Sequence, residues 1–241
     1  MSDPTDAQRT NCSQGLASER RDRGMRIELV VVLAVAVLPL VVSSVRDTLT
    51  QESAPFAHAD ITAGTLSSVL HCFIGLLLVG YVAYQRGDSP RHFGWRLRPA
   101  VIPGSLATFA LAIGAYAAVY FLVDSVGLPG WDWRGGSRAE AIPGQARGVL
   151  LLLAVVSPVF EETVTRAYLM TRLRDLGVGA TCCAVGSTLV QASYHIHKGL
   201  MLLPAYMAIF LVLSVCFARF RNLPVVVLAH FYIDIVWWAI A

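Results

Sequence analysis

The sequence predicts an all-α protein, a polytopic bundle of helices that crosses a membrane several times. Hydrophobic residues make up 56% of the 241 positions and charged residues only 15%, whereas soluble domains carry about a quarter charged residues. The hydrophobic residues also occur in long runs, each close to the ~20 residues that a helix needs to cross a bilayer. Little sequence is left for a soluble domain, so we expect short loops between membrane helices.

Seven apolar runs are long enough to be candidate spans. They cover residues 27–45, 62–84, 100–123, 147–171, 178–196, 200–217 and 223–240. Helix-breaking residues separate several of them, such as Pro90 and Pro99 before the third run and Gly127, Pro129 and Gly130 before the fourth. We therefore predict about seven spans, and the pattern leaves open an eighth, re-entrant or half-length segment.

This pattern divides the chain into three parts. Residues 1–24 are polar and form a predicted cytoplasmic tail, residues 25–145 hold the N-terminal transmembrane helices, and residues 146–241 form a transmembrane core rich in ionisable groups. The formal net charge of +3 is small and the basic residues are scattered. Lipids of the bilayer are therefore expected partners, and nucleic acids are not.

The basic residues also predict the orientation in the membrane. Most of the 19 Lys and Arg residues lie in one alternating set of loops, and the other set holds few, namely Arg46, Arg134, Arg138, Arg147 and Lys198. Cytoplasmic loops carry the excess of basic residues. The N-terminus is therefore predicted to be cytoplasmic and the C-terminus outside, and we expect the membrane to be a bacterial cell membrane.

The fourth run contains three ionisable residues, Glu161, Glu162 and Arg166. Such groups are costly at membrane depth, so each needs a partner or a function. Glu162 and Arg166 lie four residues apart on one helix face and can form an ion pair. Glu161 points about 100° away from Glu162, so the sequence predicts a carboxylate near the bilayer midplane with no cation on its own helix face.

Two later runs add histidines and a further acid. The fifth run ends with His195, and the seventh carries His230 and Asp234, which share one helix face because they are four residues apart. Counted along its helix, His195 lies nearer the outer side than Glu161, and a tilt or a later helix start would bring the two level. The polar groups of a helix bundle face its interior, so these side chains are expected to converge.

A carboxylate and histidines in a poorly hydrated site can activate water for acyl transfer. The carboxylate is a general base, and a histidine can position the water, donate to an oxyanion or bind a metal. Neither a nucleophilic-serine motif nor a His-Glu-x-x-His motif is present in the sequence. Peptide hydrolysis without a serine nucleophile is the reaction that this set predicts.

With these motifs, the chain resembles the CAAX protease and bacteriocin-processing family of intramembrane glutamate-type endopeptidases. The family's three signatures are Glu-Glu-x-x-x-Arg, Phe-x-x-x-His and His-x-x-x-Asn or His-x-x-x-Asp, in that order. The matching segments here run from Glu161 to Arg166, from Gln191 to His195 and from His230 to Asp234. The resemblance covers about residues 145–240, and it departs from the family where Gln191 replaces Phe and Asp234 replaces the commoner Asn.

The resemblance implies that Glu161 acts as the general base on water together with His195. It implies further roles for two more pairs, with Glu162 and Arg166 supporting the site and His230 and Asp234 holding the oxyanion. No cofactor is expected. The substrates would be membrane-associated peptides or proteins with a hydrophobic or lipidated segment, such as C-terminally tagged or prenylated-like chains.

Three alternatives use the same residues. A zinc-dependent intramembrane metalloprotease would bind the metal through Glu161, His195 and His230, with Asp234 in reserve. A proton-coupled transporter would use the Glu and His side chains as a relay, although the first three spans are nearly free of mid-span charge. A family member without catalytic activity would serve as a scaffold.

Overall fold

A computed structural model describes the backbone of residues 4–49, 58–126 and 144–240, and the side chains of residues 19–49, 63–126, 148 and 151–237. The described residues form helices and contain no strand, which confirms the predicted all-α class. The α-helices are α1 Pro4–Ala36, α2 Leu38–Leu49, α3 His58–Gln85, α4 Val101–Ser125, α5 Gly144–Glu162, α6 Met170–Asp175, α7 Ala180–Ser193, α8 Leu203–Phe220 and α9 Leu223–Ile240. The loop with Gly127, Pro129 and Gly130 lies outside the described residues.

Three helical segments are long and apolar enough to cross a membrane, namely Ala63–Gln85, Val101–Ser125 and Leu203–Phe220. The bent pair Glu19–Ala36 and Leu38–Leu49 gives a fourth if it counts as one span, and Leu223–Trp237 is a shorter apolar helix. Several spans are thus present in the described part of the chain. The predicted number of seven is not confirmed.

The first predicted span, 27–45, is broken rather than continuous. The chain bends by 42° between α1 and α2, with Val37 between the two helices. Pro39 explains the break, because its ring has no N–H and clashes with the carbonyl group four residues earlier. The same residue fits the first turn of α2, where its missing donor costs nothing.

The fourth predicted span contains a π-helical stretch, Thr163–Leu169, between α5 and α6. Two hydroxyl groups bond to carbonyl oxygens here: Thr165 Oγ1 donates to the Glu161 carbonyl at 2.6 Å, and Ser187 Oγ donates to the Thr165 carbonyl at 2.8 Å. A π-helical stretch changes the direction of the side chains that follow it, and such stretches are frequent at functional sites. The sequence predicted one regular helix over residues 147–171.

Helix α5 packs against α3 and α9, while α4 packs against α8 and α9, and α7 packs against α8. At one end of the bundle, Glu28 of α1 accepts hydrogen bonds from Tyr168 at 2.8 Å and Arg172 at 3.2 Å and pairs with Arg86. Arg172 also pairs with Asp88 at 2.6 Å. These contacts join α1 to the end of α3, through Arg86, and to α6, through Arg172.

Gly75 allows α3 to approach α5 closely, because a Cβ atom at this position would overlap the buried ring of Phe160. Phe160 directly precedes Glu161, so we expect Gly75→Ala to displace this part of α5 and to lower the free energy of unfolding by about 1–3 kcal/mol. Gly80→Ala in the same helix is the matched control, because nothing lies within 4 Å of its Cβ position. Thermal unfolding in detergent measures the stability of both variants. Equal unfolding midpoints would show that the close approach of Gly75 to Phe160 does not contribute to stability.

Candidate active site

Glu161 lies at the end of α5, with its side chain 12% exposed. Its carboxylate accepts hydrogen bonds from Ser157 Oγ at 2.7 Å, Gln191 Nε2 at 2.9 Å and the Tyr194 hydroxyl at 3.2 Å. Each of these donors is neutral, so they hold the carboxylate in place without neutralising its charge. Glu161 therefore has no Lys or Arg partner among the described residues.

His195 lies next to Glu161, in the turn that follows α7. Its Nδ1 is 2.9 Å from the carbonyl oxygen of Gln191, which can only accept, so Nδ1 carries the hydrogen and the neutral ring has a bare Nε2. That Nε2 is 4.0 Å from Glu161 Oε2. The distance is too long for a direct hydrogen bond, but it suits a water molecule bonded to both atoms.

The difference in depth expected between Glu161 and His195 disappears in the structure. Helix α7 begins at Ala180 and ends at Ser193, so the helix starts later and is shorter than the predicted run of residues 178–196. His195 then lies in a turn beyond the helix end, which brings its ring to the carboxylate.

Glu162 faces a second group of residues, as its position one residue after Glu161 predicts. Its Oε1 is 3.1 Å from Arg166 Nη1 and 2.8 Å from His230 Nδ1. Glu162 and Arg166 are both fully buried, and Arg166 Nη2 also donates to the Phe210 carbonyl at 3.0 Å. The predicted ion pair is confirmed, and it has an additional role, because Glu162 also orients His230.

Asp234 lies one helical turn after His230, and its Oδ1 is 3.7 Å from His230 Nε2. The His230 ring is thus placed between two carboxylates, with Nδ1 held by Glu162. The adjacent residues Glu161 and Glu162 join the two groups, because Glu161 lies beside His195 and Glu162 is bonded to His230. The structure therefore brings together all four predicted catalytic residues, Glu161, His195, His230 and Asp234.

The predicted zinc ligands do not form a coordination group. Within the described ranges, no three or more His, Cys, Asp and Glu side chains are arranged to hold a metal ion. Glu161 and His195 approach each other, whereas His230 is bonded to Glu162 through Nδ1 and its Nε2, the nitrogen left for a metal, faces Asp234 at 3.7 Å. These residues do not fit a zinc ion in this arrangement.

Aromatic side chains form one wall of the site. The ring centroid of His195 is 4.7 Å from Phe210 and 6.5 Å from Tyr206, and Tyr206 packs against Trp237 at 6.2 Å. Trp237 therefore extends this aromatic wall.

Sequence reasoning missed the three residues that bind Glu161, namely Ser157, Gln191 and Tyr194. Gln191 was noted only as a departure from the family's Phe, yet its amide donates directly to the carboxylate. The signal in the sequence was an amide side chain within an apolar run. The structure buries Gln191 fully, and a buried polar group needs a partner. Tyr194 carries no comparable signal, because a tyrosine near a helix end is common.

Comparison with known protein families also indicates a protease. The family model described as type II CAAX prenyl endopeptidase Rce1-like matches residues 143–236, a segment that contains the site residues of α5, α7 and α9. No curated protein and no solved structure gives a significant match. The family match confirms the predicted resemblance and indicates that the chain is a protease.

Proposed function

We propose that this chain, whose residues 143–236 match the family model of a CAAX-type protease, is an intramembrane endopeptidase that hydrolyses peptide bonds with a water molecule activated by Glu161 and His195. The observation that carries the proposal is the pair formed by the Glu161 carboxylate and the bare Nε2 of His195, 4.0 Å apart. A general base must lie within reach of the proton that it removes, directly or through one water. This pair offers two such acceptors to one water.

In the proposed reaction, the water held between Glu161 and His195 loses a proton to this pair while its oxygen attacks the carbonyl carbon of the substrate. The carbonyl π-electrons move to its oxygen, which becomes an oxyanion. The C–N bond then breaks, and the proton taken from water passes to the leaving amine. The products are a new carboxyl end and a new amino end.

His230 and Asp234 are the proposed oxyanion partners. Glu162 accepts from His230 Nδ1, so in the doubly protonated ring the Nε2–H is left to donate to a developing negative charge. Fixed donors aimed at such a charge contribute about 3–4 kcal/mol to the lowering of a barrier. Asp234, whose Oδ1 is 3.7 Å from that Nε2, would donate to the same oxygen from its protonated form, because an ionised carboxylate can only accept.

The substrates that we propose are membrane-associated proteins or peptides with a hydrophobic, C-terminally tagged or prenylated-like segment. The support is the family match together with a site among helices of membrane-spanning character. The test is cleavage of a membrane-anchored peptide by the purified protein in lipid vesicles, with and without a metal chelator. We expect defined products in both cases, whereas loss of activity with the chelator and recovery with zinc would favour the metalloprotease alternative.

We further propose seven spans with a cytoplasmic N-terminus. The support is that loops predicted on the same side meet in the structure: Arg221 donates to the His92 carbonyl at 2.7 Å, and His92 pairs with Asp175 at 3.1 Å. At the other end of the bundle, Ser44 of α2 contacts His197 at 3.1 Å. Both sets of contacts follow from the alternation of loops that the basic residues predict.

The topology predicts opposite labelling of two positions. A cysteine replacing Ser89 should be protected from an impermeant thiol reagent in intact cells, and one replacing Lys198 should react, because these loops lie on opposite sides. Cys182, which is exposed, is first replaced by serine so that the background is low. Labelling of the Ser89 position from outside would overturn the seven-span topology.

A further inference from the structure

We propose that Ser44 is a positioning residue for His195, although it lies far outside the segment that matches the protease family. The inference rests on the proposed function, in which His195 and Glu161 share the attacking water. Ser44 acts through His197, two residues after His195, and does not itself touch the site.

The turn that carries His195 has little local support. Helix α7 ends at Ser193 and α8 begins at Leu203, so the backbone between them is held mainly by short-range bonds, while the His195 ring packs against Phe210 and Tyr206 of α8. These bonds are His195 N to Ala192 O, Lys198 N to His195 O and Gly199 N to Ile196 O. Segments of this kind open easily unless other elements hold them.

Ser44 supplies a contact from another part of the bundle. It is the buried side chain of α2, 2% exposed, and its Oγ binds the turn at two points. The backbone N–H of His197 donates to this oxygen at 3.0 Å, and the His197 Nδ1 is 3.1 Å from it. A hydroxyl has one hydrogen and two lone pairs, so it can satisfy both partners at once.

The position of His197 bears directly on His195. The two rings are stacked with centroids 6.0 Å apart, and the 3-10 turn Ile196–Lys198 follows His195 immediately. A chain of contacts therefore runs from Ser44 through His197 to the His195 ring, whose Nε2 faces Glu161. A displacement of about 1 Å in a reacting group can cost ~100-fold in rate, so a fixed turn is needed for catalysis.

Ser44→Ala removes the hydroxyl from this contact and leaves every site residue unchanged. We expect kcat to fall by about ten- to a hundredfold with KM within about twofold, because in the proposed reaction His195 binds the attacking water and not the substrate. Ser43→Ala is the matched control from the same helix, since among the described residues Ser43 makes only a long 3.5 Å contact with Asp47. Its kcat should equal that of the wild type.

Hydrogen exchange tests the contact without reference to proteolysis. In the full chain in detergent, Ser44→Ala should raise the exchange rate of the segment 194–202 by on the order of tenfold, and Ser43→Ala should not. His197→Asn, whose side-chain amide can still bond to Ser44, should keep most of the protection and activity. His197→Leu keeps only the backbone bond to Ser44 and should lose part of both. The effects of Ser44→Ala and His197→Leu should not add in the double variant.

Unchanged exchange in Ser44→Ala would overturn the contact, and raised exchange with wild-type kcat would overturn the positioning role. These failures differ from failure of the proposed function, which would appear as absence of cleavage by the wild type. Because hydrogen exchange does not require cleavage, it tests the contact between Ser44 and His197 whether or not the wild type is a protease.

Discussion

Glu161→Gln should abolish cleavage, with a fall in kcat/KM of about 1,000-fold or more, while the protein stays folded. Glutamine has the shape of glutamate and can still accept a hydrogen bond, but its amide cannot take a proton from water. General bases contribute about 10²–10⁴-fold to a rate, and loss of the negative charge also weakens the orientation of water towards the carbonyl carbon. Cleavage of a vesicle-bound peptide under single-turnover conditions measures this effect.

Ser157→Ala is the matched control for this experiment. It removes one neutral donor from the Glu161 carboxylate but leaves the base in place, so we expect a loss of about tenfold or less. A folded Glu161→Gln protein with a turnover close to that of Ser157→Ala would show that Glu161 is not the base.

Arg166→Leu should be the most destabilising single change in the site, with a loss of about 3–5 kcal/mol in the free energy of unfolding. The substitution leaves the buried Glu162 carboxylate without its cation and the Phe210 carbonyl without its donor. Removal of one partner from a buried ion pair costs this much because the other charge stays behind uncompensated. His230, which shares the Glu162 oxygen, would then lose its fixed orientation.

Arg174→Leu is the control, because Arg174 is exposed and makes only a long 3.5 Å contact with a carbonyl. Exposed substitutions of this kind change stability by about 0.5 kcal/mol or less. Thermal unfolding in detergent compares the two variants with the wild type. Equal midpoints for both would mean that the buried pair contributes no net stability.

The helices could be predicted from the sequence wherever apolar runs end at strong breakers. The predicted runs 62–84 and 100–123 correspond to α3 and α4, which end at Gln85 and Ser125. The ion pair of Glu162 and Arg166 could also be predicted, since a spacing of four residues places both side chains on one helix face. These features depend on local sequence alone.

Features that depend on contacts between helices could not be predicted. The π-helical stretch after Glu162 accepts a hydrogen bond from Ser187 of α7. The local sequence of Thr163–Leu169 does not predict a π-helical stretch. The amide of Gln191 and the hydroxyl of Tyr194 reach Glu161 only because α7 packs against the π-helical stretch that follows α5. Pro39 is a local signal for the bend at Val37. It lies within the continuous apolar run of residues 27–45, so the run was predicted as one unbroken helix.

The central claim is that the attacking group is a water molecule held by Glu161 and His195 and not a side chain of the protein. It is tested most directly by quenching the wild-type protein with acid during turnover of a vesicle-bound peptide in ¹⁸O-labelled water, followed by mass spectrometry of the intact protein and of the products. The account predicts one heavy oxygen in the new carboxyl group of the product and no change in the mass of the protein. A protein that carries the acyl part of the substrate would contradict it.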